Sequence, residues 1–294
     1  MPKEAQLLTR LHVLFINAIG TVILTLKIMA RNNSFIRLEG TLDGLTFYRQ
    51  NGTSYVKTKN QVSRNRIMND PAYKRTRENM QEFGGATRCG KAFRESFASI
   101  ARLVSDTYVS GRVTGKMRSI INKGAGVRGE RNVNVVDNTE AFIGFNFNSS
   151  KPFDSQFNAP STGPEITATR DKVTWSVADF NTDTYVRKPE GATHFKLALA
   201  AGYVSNYEWV PELNTYEPIE AKPNGVGTVS YSEAIALGGM VGGATDLTVN
   251  LSDYAPIPVT TALFGGTAIV FYQMVNGELY ELAQGHSMKI AVGG

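Results

Sequence analysis

Three histidines and one cysteine are the residues best able to do chemistry in this chain, and their spacing argues against it. His12, His194 and His286 stand alone, with no second ligand at His-Glu-x-x-His or similar spacing. Cys89 is single, so it has no disulfide partner within the chain and no Cys-x-x-Cys pair for zinc. Gly225-Val226-Gly227 and the glycine-rich run 238–243 lack the Lys-Ser/Thr of a phosphate loop, and no Gly-x-Ser-x-Gly elbow occurs. Carboxylates in the second half are scattered among turns and short β-favouring runs, so no pair stands out as acid and base. No catalytic residue, cofactor or metal is expected, and the protein is read as non-enzymatic.

The cations say more. Arg49, Lys57, Lys59, Arg64, Arg66, Lys74, Arg75 and Arg77 are interleaved with Tyr48, Tyr55 and Tyr73. Such a mixture can neutralise phosphates while its rings stack on unpaired bases, or it can pair with carboxylates on another protein surface. Residues 49–131 hold eighteen Lys/Arg against six Asp/Glu, whereas 132–294 hold eight against seventeen, so the net charge of +5 conceals a basic half and an acidic half. Charge separated in this way governs association more than fold. Complementary halves repeated head to tail make a ring or a filament. The leading expectation is a structural protein that self-assembles as a homo-oligomeric shell, filament or virion-like or surface assembly, with nucleic acid at residues 49–77 as the alternative partner. Phe271, Tyr272 and Tyr280 are the aromatic candidates for assembly contacts. A carbohydrate- or surface-binding module is a further alternative, with Trp175 or Trp209 as its platform.

These residues need elements to hold them. With 294 residues and 42% hydrophobic composition, the chain has enough apolar material for a substantial core. Residues 34–59 read as a three-stranded meander, punctuated by Asp43-Gly44 and Asn51-Gly52, and followed by a basic arm over 57–66. Asp70-Pro71 starts a helix over 71–83, which Gly84-Gly85 interrupts or kinks. Phe93, Phe97, Ile100 and Val104 then recur at helical spacing, with Arg88, Lys91, Arg94 and Arg102 on another face. Val109, Val113, Met117 and Ile120 make a second stripe over 106–122, so a helical hairpin is predicted. The glycine-dense segment 124–131 reads as a linker. Beyond it, strands are predicted over 141–147, 165–169, 173–178, 193–200, 227–232, 246–251, 268–275, 278–283 and 287–292, with Asn276-Gly277 as a hairpin turn. The fold class expected is α+β, mainly β: a small N-terminal meander and helical hairpin over 29–123, then an antiparallel β-sandwich over 132–294.

Residues 11–26 are apolar apart from His12, Asn17 and threonines. That is shorter than the roughly 20 residues a membrane-spanning helix needs, so no stable span is expected, although a secretory core of this length fits. Met29-Ala30-Arg31-Asn32 reads as a translation start, which makes 1–28 an upstream extension. The two readings imply export on one hand and a cytoplasmic or virion-like setting on the other.

Four stretches together resemble a family of uncharacterised proteins of Bacteroidetes bacteria. They are Met29-Ala30-Arg31-Asn32-Asn33 with residues 39–48, Asp70-Pro71-Ala72-Tyr73 with 75–79 and 82–84, Pro189-Glu190-Gly191-Ala192-Thr193-His194, and Phe271-Tyr272-Gln273 with 275–280. The likeness spans 29–292 and supports a start at Met29. It implies no activity or catalytic residue.

Overall fold

Two long strands that are apolar at almost every position organise the larger part of the molecule. The protein is described here from a computed structural model over residues 30–32, 38–50, 52–58 and 62–294. The extension 1–28 and residues 35–37, the first half of the run 35–40 that opens the predicted meander, lie outside these residues. The chain divides into two units, Met1–Tyr73 and Lys74–Gly294.

The described part of the first unit is a four-stranded antiparallel sheet in the order β1 (Ala30–Arg31), β4 (Thr53–Thr58), β3 (Leu45–Gln50), β2 (Gly40–Leu42). Asp43 and Gly44 turn β2 into β3 with φ of 48° and 81°, the left-handed backbone that a tight hairpin demands. The second and third strands of the expected meander form as β3 and β4, while its first described partner is Gly40–Leu42 and the short β1 adds a fourth strand. Part of the expected basic arm is helical: α1 (Arg64–Asn69) starts where the Ser63 hydroxyl accepts the Arg66 N–H at 3.2 Å. Asp70 acts after this helix, its carboxylate accepting the Ala72 N–H at 2.9 Å as the chain enters a single 3-10 turn, Pro71–Tyr73. None of the described residues of this unit is buried.

The second unit opens with α2 (Lys74–Glu95), α3 (Ala98–Val104) and α4 (Val109–Ile121). The predicted break at Gly84-Gly85 does not occur. A Cβ on Gly85 would lie 2.7 Å from the Tyr216 ring, so this glycine serves a close approach within a continuous helix. The strands are β5 (Ser161–Ile166), β6 (Lys172–Val177), β7 (His194–Ser205), β8 (Tyr207–Val210), β9 (Thr215–Pro218), β10 (Gly227–Tyr231), β11 (Ile235–Ala236), β12 (Thr245–Asn250), β13 (Thr261–Val275), β14 (Glu278–Glu281) and β15 (Ser287–Gly293). They form a six-stranded antiparallel sheet centred on β7 and β13, a three-stranded sheet β12-β6-β5, and the hairpin β8-β9. The class is α+β with strand predominating.

Alternation along β7 and β13 assigns their side chains to two cores. Ala198, Ala200, Val204, Ala262, Phe264, Ala268 and Val270 join Phe93, Phe97, Ile100, Val104, Val113, Met117 and Ile120 from the helices. Phe195, Leu197, Leu199, Ala201, Leu263, Ile269 and Phe271 join Val173, Trp175, Val177, Leu247 and Val249 from the three-stranded sheet. A strand buried on both faces has no polar alternation to show, which is why these two read as near-continuous apolar runs. The large sheet thus has helices on one face and a smaller sheet on the other. The expected division into a separate helical piece and a separate two-sheet body does not contain that arrangement.

Two further expectations change. Residues 124–131 fall inside the second unit, where the Gly129 N–H bonds Glu82 of α2 at 2.9 Å, and where Gly126 and Gly129 have φ of 110° and 103°. These glycines fold the segment back onto the helix. Residues 141–147 are not a strand: a 3-10 helix, Val136–Ala141, ends there, and the chain then runs along β15 through the Gly144 N–H to Ile290 and the Phe147 N–H to Met288. Bulky packing makes this irregular path. Phe142, Phe145 and Phe147 gather around Phe93, with ring centroids 4.3, 6.3 and 6.2 Å away.

Candidate interaction surfaces

Strand pairing places each residue of the N-terminal sheet on one of two faces. Opposed residues share a face, so Ala30 with Val56, Val56 with Phe47, and Leu42 with Leu45 make one side apolar. Arg31 with Tyr55, Tyr55 with Tyr48, and Lys57 with Thr46 make the other aromatic and cationic. The Tyr48 and Tyr55 rings stack with centroids 5.5 Å apart, and the Lys57 ammonium lies 5.2 Å from the Tyr48 ring. Arg31 belongs with this set and was not singled out from the sequence, because its place depends on a two-residue strand with little propensity signal of its own.

The eight cations read from the sequence do not form one patch. Arg49 has the register of the apolar face, with its Nε donating to the Gly52 carbonyl at 3.2 Å. Arg64 and Arg66 lie on α1, where Arg66 bonds Asp70 at 3.3 Å and lies over Tyr73. Lys74, Arg75 and Arg77 belong to α2 in the second unit, and Arg75 is paired with Glu78 at 2.8 Å. Lys59 lies outside the described residues.

The aromatic candidates separate in the same way. Phe271 is fully buried and offers no surface, because its place in β13 turns its ring into the core shared with the three-stranded sheet. Tyr272 is half-buried beneath Lys196, whose ammonium is 5.8 Å from the ring. Tyr280 is 54% exposed at the tip of the last hairpin. Asn276 and Gly277 form that turn with φ of 53° and 87°, as predicted. Trp175 is buried and Trp209 packs against Tyr216, so neither makes an open ring platform.

Cys89, Glu82 and His286 are buried in the scaffold. Burial pushes the Cys89 thiol well above its ordinary range, which keeps it protonated and unreactive. Glu82 is completely buried, and burial alone would raise its pKa. Bonds from Arg131, the Gly129 N–H and Arg118 outweigh that and hold it at about 2. His286 accepts the buried Phe271 N–H through Nδ1 at 3.0 Å and donates from Nε2 to the Leu282 carbonyl at 2.6 Å. This fixes a neutral tautomer, and burial lowers its pKa. Protonation would abolish the Nδ1 acceptor, so stability is fully present above about pH 6.5 and declines as pH falls through the window below it. We expect urea midpoints to fall between pH 7 and pH 5, and a His286→Gln variant to lose that part of the slope. An identical slope in the variant refutes the assignment.

Among the described residues, two grooves on the helical layer are lined by basic side chains. The larger, about 630 Å³, is lined by Arg112, Lys116 and Asn146, but Arg112 is committed to Asp106 at 2.8 Å and to the Asn146 and Phe147 carbonyls at 2.6 and 2.8 Å. The other, about 450 Å³, is lined by Lys91, Arg94, Glu95 and Arg102 together with Ala98, Val109 and Phe147. Helical periodicity alone put its three cations on one face. The place of Phe147 in it was not legible, because that residue arrives from an irregular segment. Among the described residues, no group of three or more His, Cys, Asp or Glu side chains is placed to hold a metal, and no helix is long and apolar enough to cross a membrane. Comparison with protein-family models, curated proteins and solved structures finds no match to this chain.

Proposed function

We propose that this protein is a structural, non-catalytic component that assembles with copies of itself, and that it groups with the Bacteroidetes proteins it resembles. One observation carries the assembly reading: the N-terminal sheet has an apolar face of Ala30, Leu42, Leu45, Phe47 and Val56 and buries none of its described residues, with Leu42 65% and Leu45 40% exposed. A sheet of a few short strands is marginal without a surface against its apolar face. Apolar area of this kind, outside a core, is the ordinary mark of a protein contact. A second copy supplies that surface at no further genetic cost, and the opposed charges of the two halves of the chain favour like molecules meeting.

The opposite face supports a second reading. Arg31 and Lys57 beside the stacked Tyr48 and Tyr55 form a small cationic and aromatic platform of the sort that holds unpaired nucleic acid.

Light scattering coupled to size exclusion, at low and high salt and with the ultraviolet absorbance ratio recorded, separates the two. A nucleic-acid-free particle several times the 32.1 kDa chain mass is the expected result. A 32.1 kDa species at every concentration and salt overturns the assembly reading. A small species carrying nucleic acid that salt releases replaces it with the second, and Lys57→Ala must then weaken that binding.

A further inference from the structure

We infer that the groove between Lys91, Arg94, Arg102, Val109 and Phe147 receives the tip of the β13-β14 hairpin of another copy of this chain, making a head-to-tail contact. The inference rests on the assembly reading above and names one of its interfaces.

The groove is lined by three cations and one acid, Glu95, so it carries net positive charge with bonding capacity left over. Lys91 has a single loose ion pair with Glu95, 3.4 Å apart and largely exposed, which contributes little in water. Arg94 and Arg102 have no carboxylate within ion-pair distance among the described residues. The Nε of Arg94 is buried and makes no hydrogen bond, and a buried donor left unsatisfied is costly. Ala98, Ala101 and Val109 add apolar surface to its lining, above the fully buried Phe147. The fitting occupant is a short segment that combines a carboxylate with an apolar or aromatic side chain.

The hairpin tip has that composition. Gln273 opposes Tyr280 and Val275 opposes Glu278, so Val275, Glu278 and Tyr280 share one face. Val275 is 42% and Tyr280 54% exposed, and Glu278 is an exposed carboxylate, while Glu281 opposes Tyr272 on the other face. The Tyr280 hydroxyl donates to Glu278 at 2.8 Å, which holds the acid beside the ring.

Strand pairing sets the two surfaces apart along the sheet: the groove reaches Phe147, which bonds Met288 opposite Ala268, and Val275 at the hairpin tip is seven residues beyond Ala268, about 23 Å at ~3.3 Å per residue. Ser96, next to the groove, lies against Gly202 and Gly227, whereas the hairpin begins at Tyr272, paired with His194. Eight residues of β7 separate His194 from Gly202, about 26 Å at ~3.3 Å per residue, and the tip extends further still. One molecule cannot fill its own groove with its own hairpin. A contact between two different patches set apart in this way propagates, giving a ring if the rotation closes and a filament if it does not.

Charge reversal on the full chain tests this. Glu278→Lys, and separately Arg102→Glu with Lys91→Glu, should each raise the concentration needed for assembly by roughly tenfold or more, with circular dichroism and melting unchanged. Mixing the two variants should restore assembly, because each new groove then meets a hairpin of opposite charge. A wild-type oligomer whose mass neither variant alters, or variants that fail to complement on mixing, overturns this interface and leaves the assembly reading intact. A wild-type chain that is monomeric throughout overturns the assembly reading itself.

Discussion

Replacing Glu82 with glutamine will destabilise the protein by about 3–5 kcal/mol, the range found when one partner of a buried ion pair is removed. The carboxylate is wholly buried in α2 and is shared by two guanidiniums, Arg131 at 2.7 and 2.9 Å and Arg118, while the Gly129 N–H donates to it at 2.9 Å. A neutral amide leaves both arginines without their counter-charge and sets one of its own N–H groups against donors. The loss would reach beyond the helix, because this one acid ties α4 and the 124–131 segment to α2. Urea unfolding at pH 7 measures it, and a change below 1 kcal/mol would refute the central role given to Glu82. The pH dependence has a defined sign. The folded pKa, about 2, is below the ordinary 4.5, so the stabilisation is complete above pH 4.5 and is lost as pH falls toward 2. Glu82→Gln should flatten that acid limb. Substituting Glu82, Arg118 and Arg131 together with apolar residues of similar size should cost less than the single change, since no charge is then stranded.

The second large effect is steric. Gly227→Ala should cost on the order of 3 kcal/mol or more, because its Cβ would sit 1.9 Å from the Ser96 carbonyl oxygen and 2.6 Å from that of Ala201. Both obstacles are backbone, so no side-chain rotation relieves them. Gly227 pairs with Gly202 across β10 and β7, and a Cβ on Gly202 would meet Ser96 at 2.5 Å. Two bare positions side by side let the end of α2 lie on the sheet, with Phe93 and Phe97 buried to either side of the contact. The matched control is Gly84→Ala, in a helix interior with nothing within 4 Å of the added carbon. It should stabilise by roughly 0.5–1 kcal/mol through helix propensity and a less free unfolded chain. Denaturant midpoints that move in the same direction for both variants would show that the close approach of α2 to the sheet is not what Gly227 serves.

These two sites show where sequence reasoning stops. Gly84 and Gly85 are adjacent and look alike in the sequence, yet one faces open space and the other the Tyr216 ring, more than a hundred residues away along the chain. Propensity treats both as helix breakers; packing decides that neither breaks the helix. Nothing in the sequence singles out Glu82 among the six acids of the basic half. Its partners come from α4 and from a segment whose glycines pointed to a linker, and their approach depends on the positive φ of Gly126 and Gly129 closing that segment over the helix.

Local rules determined much of the rest. Helical spacing of Phe93, Phe97, Ile100 and Val104, and of Val113, Met117 and Ile120, identified the buried faces of the helices. Asp43-Gly44 and Asn276-Gly277 identified two hairpin turns by the backbone they can adopt. The split of charge between the halves was evident from composition alone. Each of these depends on residues within a few positions of one another or on simple counts. Only the tertiary structure decided that β7 and β13 bury both faces, that helices cover one side of their sheet, that the expected basic patch is divided between two faces and two units, and that a cationic groove and an acidic hairpin are set apart along the sheet. Those outcomes come from long-range pairings, in which the position of one side chain is set by the shape and charge of residues far from it in the chain.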